Sequence, residues 1–181
     1  LPDTGTVTIF DRATSAITDS SDWLTTVDRI GIVSERAVLL EHLTVVQNLA
    51  MPFTLDIEPP PPAERARAAA LAREVGVAEP QWATPLAGLD RLAAMRVRLG
   101  RAVALDPAVV LFEHASASLS REAAAEFAAS VRAVANRRQI AVIALTADDS
   151  FARGIGATVL AHEPATGRLK ESGLGWFGRR R

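Results

Sequence analysis

The chain has 181 residues, 49% of them hydrophobic and 23% charged, with a formal net charge of −1 and no cysteine. That length suits one domain with a real core and argues against two independent ones. The near-neutral balance gives no electrostatic reason to expect a nucleic acid, and the missing cysteines exclude disulfides, thiolate chemistry and cysteine-bound zinc.

His42, His114 and His162 are widely separated, and none forms a short metal-ligand pair with another. No run of eighteen apolar residues occurs, and the start lacks a basic segment followed by an apolar one, so neither a membrane span nor a signal peptide is expected. A cytosolic protein fits these features best. Leu1 in place of a starting methionine suggests residues upstream or an unusual start codon.

In chain order, short β-branched apolar runs at 6–10, 30–33, 108–112, 140–145 and 157–160 read as strands. Val109–Phe112 and Val142–Leu145 are apolar without alternation, as in strands covered on both faces, so the expected fold is α/β: a mainly parallel sheet flanked by helices. Helical patterns lie at 63–75, closed by Gly76; at 89–105; and at 121–136, after Ser120 as N-cap. The middle, about 44–105, has helical patterns and prolines but no convincing strand, and predicts a helical lobe attached to the sheet. Prolines 59–62 predict a stiff connector. The end, 174–181, mixes glycine, Trp176, Phe177 and three arginines, and predicts a flexible basic tail.

Four segments carry a family resemblance. Leu1-Pro2-Asp3-Thr4-Gly5-Thr6-Val7, Gly31-Ile32-Val33, the block from His42 to Leu49, and the block from Arg96 to Pro107 resemble, in order and spacing, the ATP-binding domain of ABC transporters. The last block is similar to that family's Q-R-V-A-I-A-R-A-L-A-L-D-P helix. The resemblance covers 1–173 and implies a P-loop NTPase-like fold, ATP and Mg as cofactors, membrane-spanning subunits and a second ATP-binding domain as partners, and a place on the inner face of the cell membrane. It also implies that the first strands and the Walker A loop, G-x-x-x-x-G-K-[ST], are absent from these residues: the sole lysine is Lys170, and Gly154-Ile155-Gly156 reads as a turn.

The same resemblance assigns the other site positions. Glu35 falls where the family has a magnesium-contacting glutamine, though a surface glutamate explains it equally well. The L-S-G-G-Q signature falls on Leu89, Asp90, Arg91, Leu92 and Ala93, which keep only the leucine; Asp90 also reads as an ordinary helix cap. Glu113 takes the place of the Walker B aspartate, as a magnesium ligand, and His114 that of the catalytic glutamate. Histidine can act as a general base near neutral pH, or merely end a strand. The family's S-A-L-D becomes Ala117-Ser118-Leu119-Ser120, and its switch histidine becomes Ala147. Together these changes imply impaired hydrolysis. Three functions remain: a transporter's ATP-binding subunit, a non-catalytic pseudo-ATPase that preserves the dimer, or a regulatory scaffold reusing the fold. The transported substrate is not legible.

Overall fold

The computed structural model describes residues 4–171. Strands β3 (Ile30–Ser34), β4 (Val109–Glu113) and β5 (Ala141–Leu145) form one parallel sheet in that order, with Ile32 opposite Leu111 and Leu111 opposite Ile143. Parallel neighbours need crossovers. Between β4 and β5 the crossover is α5 (Arg121–Arg138), which starts where the Ser120 hydroxyl accepts from the Ala123 amide. Arg137 and Arg138 occupy its last turn, where cations suit the dipole, and Gln139 ends it in left-handed conformation.

Between β3 and β4 the chain makes a long helical excursion through α2 (Val45–Ala50), α3 (Pro62–Glu74) and α4 (Arg91–Val103), which pack on one another. Local sequence sets each boundary. Thr44 and Gln47 form a capping box for α2, proline begins α3, and Gly76 follows α3 at φ 83°, a conformation glycine adopts without strain. Prolines 59–62 are therefore only partly a connector: Pro62 is already the first residue of α3, and the Glu58–Pro59 bond is cis. The helix expected at 89–105 is shorter at both ends because Asp90 caps it and Ala104 closes it.

Helices α4 and α5, with α6 (Asp149–Gly154), cover one face of the sheet. Gly31 permits that closeness, since a Cβ there would run into the Ala102 carbonyl of α4. Phe112 of β4 meets Phe127 and Phe151 at centroid separations of 6.4 Å each, and those two stack at 5.8 Å.

The opposite face corrects the expectation of strands covered on both sides. Ile32, Ile143 and Leu145 are 55%, 61% and 64% exposed. Two expected strands also lie elsewhere than in the sheet. The run at 6–10 contributes only β1 (Thr8–Ile9), in a hairpin with β2 (Arg12–Ala13). The run at 157–160 reaches only the start of β6 (Leu160–Glu163), antiparallel to β7 (Arg168–Glu171). A short helix, α1 (Ser20–Val27), precedes β3. The basic tail expected at 174–181 lies outside the described residues.

Candidate functional site

All three strands of a parallel sheet end on the same side, and ligands of such sheets gather at their carboxyl ends. Ser34 ends β3 and Glu35 follows it, Glu113 ends β4 and His114 follows it, and Ala147 lies just beyond β5. The register sets Ser34 beside Glu113, and the Ser34 hydroxyl donates to Glu113 Oε2 at 2.9 Å. Arg36 approaches Oε1 of the same carboxylate at 3.6 Å. The Glu113 carboxylate therefore already has a donor and a cation within the chain.

His114 is exposed and left-handed, with φ 48°. Its amide donates to the Leu145 carbonyl at 2.9 Å, which prolongs the β4–β5 ladder by one bond and explains why the chain tolerates a conformation uncommon outside glycine. The loop beyond it contains Ser116, whose buried hydroxyl has no hydrogen-bond partner among the described residues.

Two further bonds gather this loop and the start of α4. The Ser118 amide donates to Glu35 Oε1 at 3.2 Å, and Arg91 donates to the Ser118 carbonyl at 3.3 Å. A cleft of about 410 Å³ opens there, lined in part by Glu35, Leu89, Asp90, Arg91, Arg98 and Ser118. The structure thus brings Glu35 together with three of the five signature positions. Leu92 packs against the core and Ala93 is buried, so the first turn of α4 carries them inward. Asp90 Oδ1 accepts from the Ala93 amide at 2.7 Å, which places a carboxylate over the N-terminus of α4. Glu113, His114 and Ala147 do not line this cleft.

Arg98 and Arg101 went unnoticed in the sequence. Arg98 donates to the carbonyls of Ala37 and Glu35 at 3.2 Å each, and Arg101 donates to that of Val38 at 2.6 Å. Burial pushes both guanidiniums below the ordinary arginine value; for Arg98, Glu35 and Glu41 oppose that shift. The available signal was spacing: Arg91 and Arg98 are seven apart, hence on one face of a helix. Ser34 offered no such signal, because its role follows from a register that only the folded sheet defines.

No protein-family model matches the chain. Among curated proteins, the methionine import ATP-binding protein MetN of Mesorhizobium japonicum is 34% identical over 149 residues, 82% of this chain and 40% of the relative. The L-cystine transport system ATP-binding protein TcyN of Escherichia coli K12 is 29% identical over 179 residues, 95% of this chain and 69% of the relative. Homologues of this chain among curated proteins are ATP-binding subunits of ABC transporters. The chain spans about two-fifths of the length of the MetN relative. A post-hydrolysis dimer of the ATP-binding cassette MJ0796, bound to ADP and Pi, superposes with a TM-score of 0.67 at 21% identity, over 84% of this chain and 67% of that one. This ABC-cassette fold is the P-loop NTPase-like architecture expected from the sequence. No described helix is long and apolar enough to cross a membrane.

Proposed function

We propose that the chain acts as an ATP-binding subunit of an ABC transporter, at the inner face of the cell membrane beside membrane-spanning subunits and a second ATP-binding domain, while hydrolysing little ATP itself. One observation carries the second half: the polar groups at the site positions bond one another. Asp90 caps its own helix, Glu35 holds the Ser118 amide, and Glu113 holds Ser34 and Arg36.

At nucleotide sites magnesium is held by one or two carboxylates together with phosphate oxygens and waters. Glu113 stands at the family's magnesium position, and here Ser34 donates to its Oε2 at 2.9 Å while Arg36 lies 3.6 Å from its Oε1. Those contacts compete with a cation for the same oxygens, which supports weak rather than tight binding there. ATP meets a similar obstacle. Asp90 would face an incoming phosphate, and two like charges about 4 Å apart at an effective dielectric near 20 repel by about 4 kcal/mol. At Ala147 there is no side-chain donor, and the His114 amide is committed to Leu145.

The same observation favours a second reading within the family, a pseudo-ATPase that preserves a dimer whose other member turns over ATP. Phosphate release from ATP and magnesium tests the shared claim. The expected outcome is release no faster than in buffer; turnover on the order of one per second, abolished in His114→Ala, would overturn it. Titration calorimetry tests binding separately, and tight, magnesium-dependent uptake would refute the poor fit.

A further inference from the structure

Strand β5 is an outer strand of the sheet, and among the described residues nothing pairs with its far edge. The Ala141 amide donates to the Ala108 carbonyl, and the Leu145 carbonyl accepts from the His114 amide. Alternate residues of a parallel strand bond the same neighbour, so Ala141, Ile143 and Leu145 turn their peptide groups to β4. Val142 and Ala144 turn theirs outward. An edge of this kind is a template for another strand, and proteins blunt such edges with charged side chains, proline or a bulge. The run Ala-Val-Ile-Ala-Leu contains none of these. Its side chains are also incompletely covered: Val142 and Ala144 are half-buried, whereas Val110 and Phe112, beside them on β4, are 2% exposed.

The sequence around β5 is complementary to itself. Turned about a two-fold axis at Ile143, the strand meets its own copy antiparallel, with Val142 of one copy opposite Ala144 of the other. Those are the residues whose amides and carbonyls point outward, so each such pair exchanges hydrogen bonds in both directions. Ile143 then meets Ile143 of the second copy at the close, non-hydrogen-bonded position, on the open face. Charge agrees with this register. Arg137 lies in the last turn of α5 and Asp149 opens α6, at equal sequence distances on either side of Ile143. Both side chains are exposed, and the axis sets the basic end of one copy beside the acidic end of the other.

We propose that β5 is a self-association edge, where a second copy of this chain pairs antiparallel about Ile143 and joins the two sheets into one. An antiparallel strand on the edge of a parallel sheet is a common arrangement. A two-fold contact closes on itself, so assembly stops at a dimer. One five-residue edge buries far less than a standard interface, and the dimer therefore forms only at high concentration. The pairing covers the edge and leaves the face open. It rests on strand geometry and does not depend on nucleotide binding.

The absence of cysteine makes the register testable in the full chain. Ile143→Cys supplies a single thiol whose counterpart across the axis stands about 4.5 Å away between Cα atoms, within the span a disulfide needs. Leu145→Cys is as exposed, but its counterpart lies about 13 Å along the strand. With oxidised glutathione at near-millimolar protein, Ile143→Cys is expected to form a disulfide-linked dimer about tenfold faster than Leu145→Cys on non-reducing gels. Sedimentation of the wild type is expected to show monomer at low micromolar concentration and dimer near millimolar. Ile143→Lys sets like charges face to face and abolishes that dimer with the circular dichroism spectrum unchanged, while Leu169→Lys, equally exposed on β7, leaves it intact. Three results overturn the proposal: a wild type monomeric at every concentration, equal cross-linking of the two cysteine variants, or a dimer that survives Ile143→Lys.

Discussion

The two faces of the three-stranded sheet come from the same strands and similar side chains, yet their surroundings differ. On one, Val33, Val110 and Phe112 lie against α4, α5 and α6 and are almost wholly buried; on the other, Ile32, Ile143 and Leu145 are more than half exposed. Apolar composition makes a strand suitable for burial, but only a neighbouring layer accomplishes it. For the first face the sequence supplies that layer in α4, just before β4, and in α5, just after it.

The largest test of this contrast is Phe127→Ala. Phe127 is fully buried between Phe112 and Phe151, so its loss should lower unfolding free energy by about 3–5 kcal/mol in urea titrations. On the open face, Ile143→Thr keeps a β-branched side chain and removes little contact, so the change should stay within about 0.5 kcal/mol in the same measurement. Comparable losses at the two positions would mean that the open face is covered in solution, and the contrast would fail. The smallest effect lies off both faces, on the β6–β7 hairpin. The Thr166 hydroxyl, and then Lys170, hold the Glu163 carboxyl below its ordinary value near 4.5. A lowered folded value lends stability above the ordinary value and loses it as pH falls through the folded one. Thermal unfolding of the wild type should therefore fall more steeply below about pH 4.5 than that of Glu163→Gln.

The parallel strands and the helices around them were legible because periodicity and caps are local. Ser120 and Asp90 announce α5 and α4 within a residue or two, and β4 and β5 end where their apolar runs end. The hairpin at the start was not legible. Its turn residues Phe10 and Asp11 both take positive φ without the glycine or asparagine that usually marks such a turn, and the Arg29 guanidinium 3.7 Å above the Phe10 ring helps hold it. Nor could the pairing of β6 with β7 be seen, since an apolar run does not name its partner. At the site, residue types were readable but partners were not: that Glu113 faces Ser34, or that Glu35 holds the Ser118 amide, depends on register and on loops far apart in sequence.

The helical excursion from Ser34 to Val109 also bears on how the molecule assembles. Strands β4 and β5 are joined by a single helix, so their pairing closes a short stretch of chain. Bringing β3 alongside β4 closes a loop on the order of seventy residues, an entropic cost of roughly 4 kcal/mol before any contact is made. In the finished fold the Arg138 contacts to Glu74, to the Val103 carbonyl and to Asp106 draw the ends of α3, α4 and α5 together. They form only once the excursion is closed, so they help hold together the stretch whose closure is costly.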